Sequence, residues 1–147
     1  MLDEYIDVNK VNAEVMHFNE EVSTSSRAHA AESTFPGVKT ILLAHEKGFV
    51  LAIVEGIKKV DTQAVARILE TSNVRLATPQ EVENVTGYEV GGVPPISVYG
   101  TPTLIDEHVM RHAWVLAGGG DKFSLVKIQT RDIVEHAYES RVEKISR

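Results

Sequence analysis

The sequence predicts an α+β fold: a mixed, largely antiparallel sheet with surrounding helices. Three observations lead there. Two apolar runs, 38–44 and 49–54, are separated only by His45-Glu46-Lys47-Gly48, the length and composition of a hairpin connection. The second run is apolar at every position, which in a strand means that both faces are covered, so this hairpin belongs inside the sheet. Helical and strand-like segments are interspersed, but the links between them are short, which favours antiparallel pairing over a doubly wound parallel sheet.

Taken in order, Leu2, Tyr5, Ile6, Val8, Val11 and Val15 approximate helical spacing and predict a first helix that runs into a short strand near 16–18. Ser23-Thr24-Ser25-Ser26 offers N-caps for a short helix over 27–32, with Phe35-Pro36-Gly37 as its stop. After the hairpin, Asp61 caps a helix with Val65, Ile68 and Leu69 on one stripe, followed by a short strand at 74–77. Thr78-Pro79-Gln80-Glu81 reads as Thr at N-cap, Pro at the first helical position and Glu closing a capping box, and Gly87 ends that helix. Strands follow at 103–105, 113–117 and 123–129, and Thr130 caps a last helix with Ile133, Val134 and Ala137 inward. No linker, repeat or low-complexity segment divides the chain, and 147 residues suit one domain, 1–147.

Composition removes several functional classes. Fifteen basic against 21 acidic residues give a net charge of −6, which lacks the footprint of a general duplex or membrane binder, so any nucleic-acid contact is local. Cysteine is absent, and with it disulfides, thiolate metal sites and thiol nucleophiles. The acidic start lacks the pattern of a signal peptide, and the longest apolar stretch, 49–54, is far shorter than the roughly 20 residues that span a bilayer. A cytoplasmic protein without membrane contact is expected.

Lys39 is the most informative residue. Strand alternation puts it on one face with Ile41 and Leu43, while Val38, Thr40 and Leu42 occupy the other, so a cation opens an apolar strand. Two readings stand: a lysine whose stem covers apolar surface while its ammonium reaches water, or an ammonium at the mouth of a pocket that meets an anion or carbonyl oxygen. Gly91-Gly92-Val93-Pro94-Pro95 combines positive-φ glycines with fixed-φ prolines, either as a nest of exposed N–H groups for an anion or as a rigid bend, and Pro95 is open to a cis bond. Gly118-Gly119-Gly120 is not a phosphate loop, because Phe123 stands where that motif needs Ser or Thr; a hairpin turn or a close approach of ligand to bare backbone remains. His108 and His112 are spaced for one helix turn but lack the HExxH arrangement, and Ser97 and Ser124 lack a GxSxG setting. No metal or cofactor is expected.

The segments Val38-Lys39-Thr40-Ile41-Leu42-Leu43, Gly87-Tyr88-Glu89-Val90-Gly91-Gly92-Val93-Pro94-Pro95 and Gly118-Gly119-Gly120, in this order and separation, resemble the YbaK/ProX family of aminoacyl-tRNA editing domains. The resemblance runs from about Val38 to the final helix. It implies an α+β fold around a mixed sheet and hydrolysis of the ester that joins a wrong amino acid to the terminal adenosine of tRNA, with Ala or Cys on tRNA(Pro) as the expected substrate. It makes Lys39 the catalytic lysine and assigns substrate binding to Gly91, Gly92, Val93, Pro94, Pro95, Gly118, Gly119, Gly120 and Ser124. It also implies a free-standing editing domain that meets the acceptor end of aminoacyl-tRNA, with a synthetase as a further partner. Ala117 departs from relatives with a hydroxyl there, and Ser124 from relatives with an acid. The alternative is a non-catalytic module that binds an aminoacyl-adenosine-like ligand or a protein partner.

Overall fold

The structure of the protein, a computed structural model, describes residues 1–22 and 35–147. In chain order the elements are α1 (Leu2–Asn9), β1 (Ala13–His17), β2 (Val38–His45), β3 (Gly48–Glu55), α2 (Thr62–Leu69), β4 (Arg75–Leu76), α3 (Pro79–Thr86), β5 (Thr103–Asp106), a 3-10 turn (Val109–Arg111), β6 (Trp114–Gly118), β7 (Ser124–Gln129), α4 (Thr130–His136) and β8 (Ser140–Glu143).

The apolar run in β3 determines the architecture. Val50, Leu51, Ala52, Ile53 and Val54 are each at most 1% exposed, and burying side chains of this kind stabilises by about 1.5–3 kcal/mol for each of the larger ones. Both faces must therefore be covered. β2 pairs with β3 from Val38↔Glu55 to His45↔Gly48, the expected hairpin, and lies inside a five-stranded sheet of order β4-β2-β3-β5-β8. The β3–β5 and β5–β8 pairs are parallel and the others antiparallel. Val50, Ala52 and Val54 pack on one face with Leu43, Val65 of α2, Leu104 and Ile145. On the other face Val38, Ile53 and Ile105 meet Val115, Ala117, Val126 and Ile128 of a second, three-stranded antiparallel sheet of order β1-β7-β6. Leu42 and Leu51 complete that face against Val82 of α3, Tyr88, Val93 and Val98.

Local signals act as the sequence indicated in the middle of the chain. Asp61 Oδ1 accepts the N–H groups of Gln63 and Ala64 and starts α2. Thr78 and Glu81 form the capping box of α3, with Pro79 at its first position and Gly87 ending it at φ 80°. The ends of the chain differ from expectation. α1 stops at Asn9, because Lys10 turns left-handed and its N–H returns to Asp7 and Ile6, and Ala13–His17 then joins β7 as a strand. Thr130 does not cap α4; its hydroxyl donates to the His112 carbonyl. The helix expected over 27–32 lies outside the described residues, the Pro94–Pro95 bond is trans, and β8 is an additional strand.

The two glycine-bearing loops touch main chain to main chain. Gly120 N–H donates to the Gly92 carbonyl at 2.9 Å, and Gly119 N–H to that of Ser124 at 3.0 Å. A methyl group on Gly118 would lie 2.3 Å from the Val93 carbonyl oxygen, and one on Gly92 2.7 Å from Asp121 Cα. The loops bend at Gly91, φ 87°, and Gly120, φ 106°, where a side chain would strain the backbone.

Across the large sheet, on β5, the Asp106 carboxylate ties down the segment after β8. Oδ1 accepts the N–H groups of Ile145 and Ser146, and Oδ2 accepts the Ser146 hydroxyl and the His108 N–H. Burial pushes its pKa up, but the donors around it outweigh burial and hold it below the ordinary carboxylate value.

Two outcomes are expected. Asp106→Asn removes a buried acceptor and lowers stability to urea by about 3 kcal/mol at neutral pH. Because the folded pKa is depressed, the gap between the two proteins narrows as the pH falls from the ordinary carboxylate value of about 4 toward the lower folded value, through which the folded carboxylate takes up its proton. Gly118→Ala forces a methyl into the Val93 carbonyl and lowers stability by about 1–3 kcal/mol. A variant that melts with the parent contradicts that contact.

Candidate active site

β4 accompanies β2 only briefly. The pairs are Leu43↔Leu76 and Ala44↔Arg75, followed by Ala77 N–H to the Leu42 carbonyl at 3.0 Å, after which the chain turns away at Thr78 into α3. From Leu42 back toward Lys39 the outer edge of β2 has no strand beside it among the described residues. A cavity of about 290 Å³ occupies the gap. Lys39, Thr40, Ile41 and Leu42 form its strand wall, Leu76, Ala77 and Val82 its helix side, and Val90, Gly91 and Val93 its loop side.

Most of this lining is aliphatic, with a cation and a hydroxyl as its side-chain polar groups. Thr40 Oγ1 is buried with no hydrogen-bond partner among the described residues. Thr40 also shares the backbone phase of Leu42, whose carbonyl accepts from Ala77, so its main-chain groups are directed at the same bare edge. Lys39 is half-buried and makes no ion pair among the described residues. Burial lowers its pKa from the ordinary lysine value, and the charge of Lys59 lowers it further. An ammonium short of solvent and of counter-charge is suited to receive an anion or a polarised carbonyl oxygen.

Of the residues singled out from the sequence, Lys39, Gly91 and Val93 meet in this cavity. Gly92, Pro94 and Pro95 are buried in the supporting part of the loop, and Gly118, Gly119 and Gly120 stand behind it, where protein main chain fills the room a side chain would need at Gly118 and Gly119. Ser124 is 1% exposed, pairs with His17 across β1 and β7, and bonds His17 Nδ1 at 2.6 Å; neither residue lines the cavity. His108 and His112 do not converge: the first pairs with Asp106 at 3.0 Å and the second with Glu55 at 2.8 Å. Asp132, Glu135 and His136 on α4 bring their ligand atoms within 4.8 Å of one another, outside the cavity.

Sequence reading missed Thr40, Ile41, Leu42, Leu76, Ala77, Val82 and Val90 as lining residues. Alternation assigned Thr40 and Leu42 to the face opposite Lys39, which is correct for a strand inside a sheet. At an edge that its neighbour leaves early, residues from both faces reach the same opening. The short strand before Thr78 was the available signal.

Comparison with known proteins bears on the family and the fold. A family model described as "Aminoacyl-tRNA editing domain" matches residues 19–135. The proline–tRNA ligase of Geobacillus thermodenitrificans (strain NG80-2) is 33% identical over 73 residues, which is 50% of this chain and 13% of the ligase. That of Nitratidesulfovibrio vulgaris is 27% identical over 104 residues, 69% of this chain and 18% of the ligase. The chain thus spans a small part of the length of these relatives. The crystal structure of a hypothetical protein, APE2540, superposes with a TM-score of 0.90 at 25% identity and covers 99% of both chains. That of a candidate trans-editing enzyme for prolyl tRNA synthetase superposes at 0.83 and 27% identity, over 92% of this chain and 87% of the other. The motifs around Lys39 and the two glycine loops therefore sit in a fold and a sequence profile shared with these proteins, and the chain belongs to the aminoacyl-tRNA editing domain family.

Proposed function

We propose that the protein is a trans-acting aminoacyl-tRNA deacylase that hydrolyses the ester of mischarged tRNA, with Ala or Cys on tRNA(Pro) as its substrate. The observation that carries this reading is a half-buried Lys39, without an ion pair among the described residues, at a small aliphatic cavity beside the Gly91–Val93 turn. A volume of about 290 Å³ has room for an amino-acid side chain and its ester. Val82, Val90 and Val93 suit a small apolar side chain. Discrimination by one methylene gives a synthetase only about 1–3 kcal/mol, so a second cavity that accepts smaller residues adds a sieve.

In this mechanism Lys39 holds the ester end of the terminal adenosine, and the main chain of residues 91–93 and the bare edge at Thr40 orient the aminoacyl group. The Thr40 hydroxyl supplies a hydrogen bond to it. A water attacks the ester carbonyl, the bond to the ribose oxygen breaks, and that oxygen leaves as the restored tRNA hydroxyl with a proton from the water. The lining described above contains no imidazole, carboxylate or thiol, so the rate enhancement comes from placement and from stabilising the developing oxyanion.

Lys39→Ala is expected to lower kcat/KM for deacylation by at least about 100-fold while the melting temperature stays within a few degrees of the parent. Undiminished hydrolysis by the variant removes Lys39 from the mechanism. Charged tRNA(Pro) carrying Ala, Cys or Pro gives the substrate: release of Ala or Cys with Pro retained is the expected pattern. No release above the uncatalysed rate from any of the three favours a non-catalytic module that binds an aminoacyl-adenosine-like ligand.

A further inference from the structure

Beyond β3 the chain reverses direction beside the start of β2: Gly56 N–H bonds the Gly37 carbonyl at 2.9 Å and Lys58 N–H the Glu55 carbonyl at 3.0 Å. It then meets the segment that Asp106 anchors. Lys59 N–H donates to the Arg147 carbonyl at 3.2 Å and Arg147 N–H to the Lys59 carbonyl at 2.9 Å, and Asp61 N–H continues the ladder to Ile145 at 2.7 Å. A pair of residues that exchanges both hydrogen bonds is directly opposed in an antiparallel ladder, with Cα atoms about 5.5 Å apart and side chains on one face.

Two cations are therefore set opposite each other, an arrangement that is destabilising without an anion between them. They lie near the start of β2, since Gly56, three residues before Lys59, bonds Gly37, two residues before Lys39. Lys59 is also near enough for its charge to act on Lys39. Glu55 pairs with His112, and Asp61 Oδ1 caps α2. Lys39, Lys59 and Arg147 make no ion pair among the described residues, in a chain of net charge −6.

We propose that Lys59 and Arg147 form a phosphate-binding cleft that takes the phosphodiester next to the terminal nucleoside of a single-stranded RNA 3′ end, so that the nucleoside is delivered to Lys39. The inference rests on the deacylase reading for its catalytic consequence and on the opposed cations for its binding consequence. Lys59 and Arg147 are positioning residues here: they touch the backbone of the RNA and not the ester.

The test uses the double variant Lys59→Gln/Arg147→Gln, in which both residues are exposed and their main-chain bonds are kept. Binding of a short fluorescein-labelled RNA ending in CCA is followed by anisotropy across a salt series. The variant is expected to bind about tenfold more weakly at low salt, and the slope of log K against log salt to fall by about 0.7 for the one phosphate released. In kinetics it is expected to lose about tenfold in kcat/KM on mischarged tRNA, mainly through KM, and nothing on an aminoacyl-adenosine that carries no phosphate. Unchanged RNA affinity and salt slope overturn the cleft, and so does an equal loss on both substrates. If the wild-type protein hydrolyses neither substrate the deacylase reading fails, while the RNA-binding arm still decides the cleft.

Discussion

The hydrogen bond from Gly120 N–H to the Gly92 carbonyl, 2.9 Å long, joins two loops whose facing residues have no side chains, and the site depends on that contact. The loop at 90–95 is not part of either sheet. It is held over the edge of β2 because Gly118 lets the Val93 carbonyl approach to a distance that any Cβ would forbid. Val93 then packs on Leu42 and Val82 from within, and Gly91 turns the chain at φ 87° so that Val90 reaches the opening. Main-chain contact of this kind is rigid, since it has no rotamers to adjust, and rigidity is what a site needs when catalysis comes from placement.

How far the sequence disclosed this depended on whether the controlling interaction was local. The β2–β3 hairpin, the Asp61 cap and the Thr78–Glu81 capping box are all set by residues within a few positions of one another, and all were legible. α1 was drawn too long because Val11 and Val15 fit a helical stripe, whereas their burial comes from the second sheet, built mainly from residues a hundred positions away. β8 went unseen for a related reason: Arg141 and Val142 are exposed on a sheet edge, so the segment carries no apolar alternation. Lys39 was legible as a cation on an apolar strand, but the cavity beside it was not, since it exists only where β4 leaves β2 after two paired residues.

Charge distribution connects the cavity to the rest of the molecule. An acidic chain repels RNA at long range, so association with it requires cations concentrated at one place. In the proposed RNA-binding reading the ladder between Lys59 and Arg147 provides that concentration, and it is held by a carboxylate that stays ionised in the interior: Asp106 fixes Ile145 and Ser146, and these fix Arg147 opposite Lys59. A buried negative charge thus positions exposed positive ones without neutralising them, because its own hydrogen bonds come from N–H and O–H groups and not from the lysines.

The depressed pKa of Lys39 follows from the same arrangement and has a chemical meaning. Burial and the neighbouring Lys59 both disfavour the ammonium, burial more strongly. A phosphodiester or a developing oxyanion reverses the second influence and adds a counter-charge of its own, so Lys39 binds its proton more firmly when substrate is present than when it is absent. Electrostatic stabilisation that strengthens as negative charge develops is the kind that lowers a barrier, whereas equal attraction for substrate and transition state would only tighten binding. A lysine already satisfied by a resident carboxylate would forfeit that difference, which is why, in the proposed deacylase mechanism, the absence of an ion pair on Lys39 among the described residues matters more than the presence of any single hydrogen bond in the cavity.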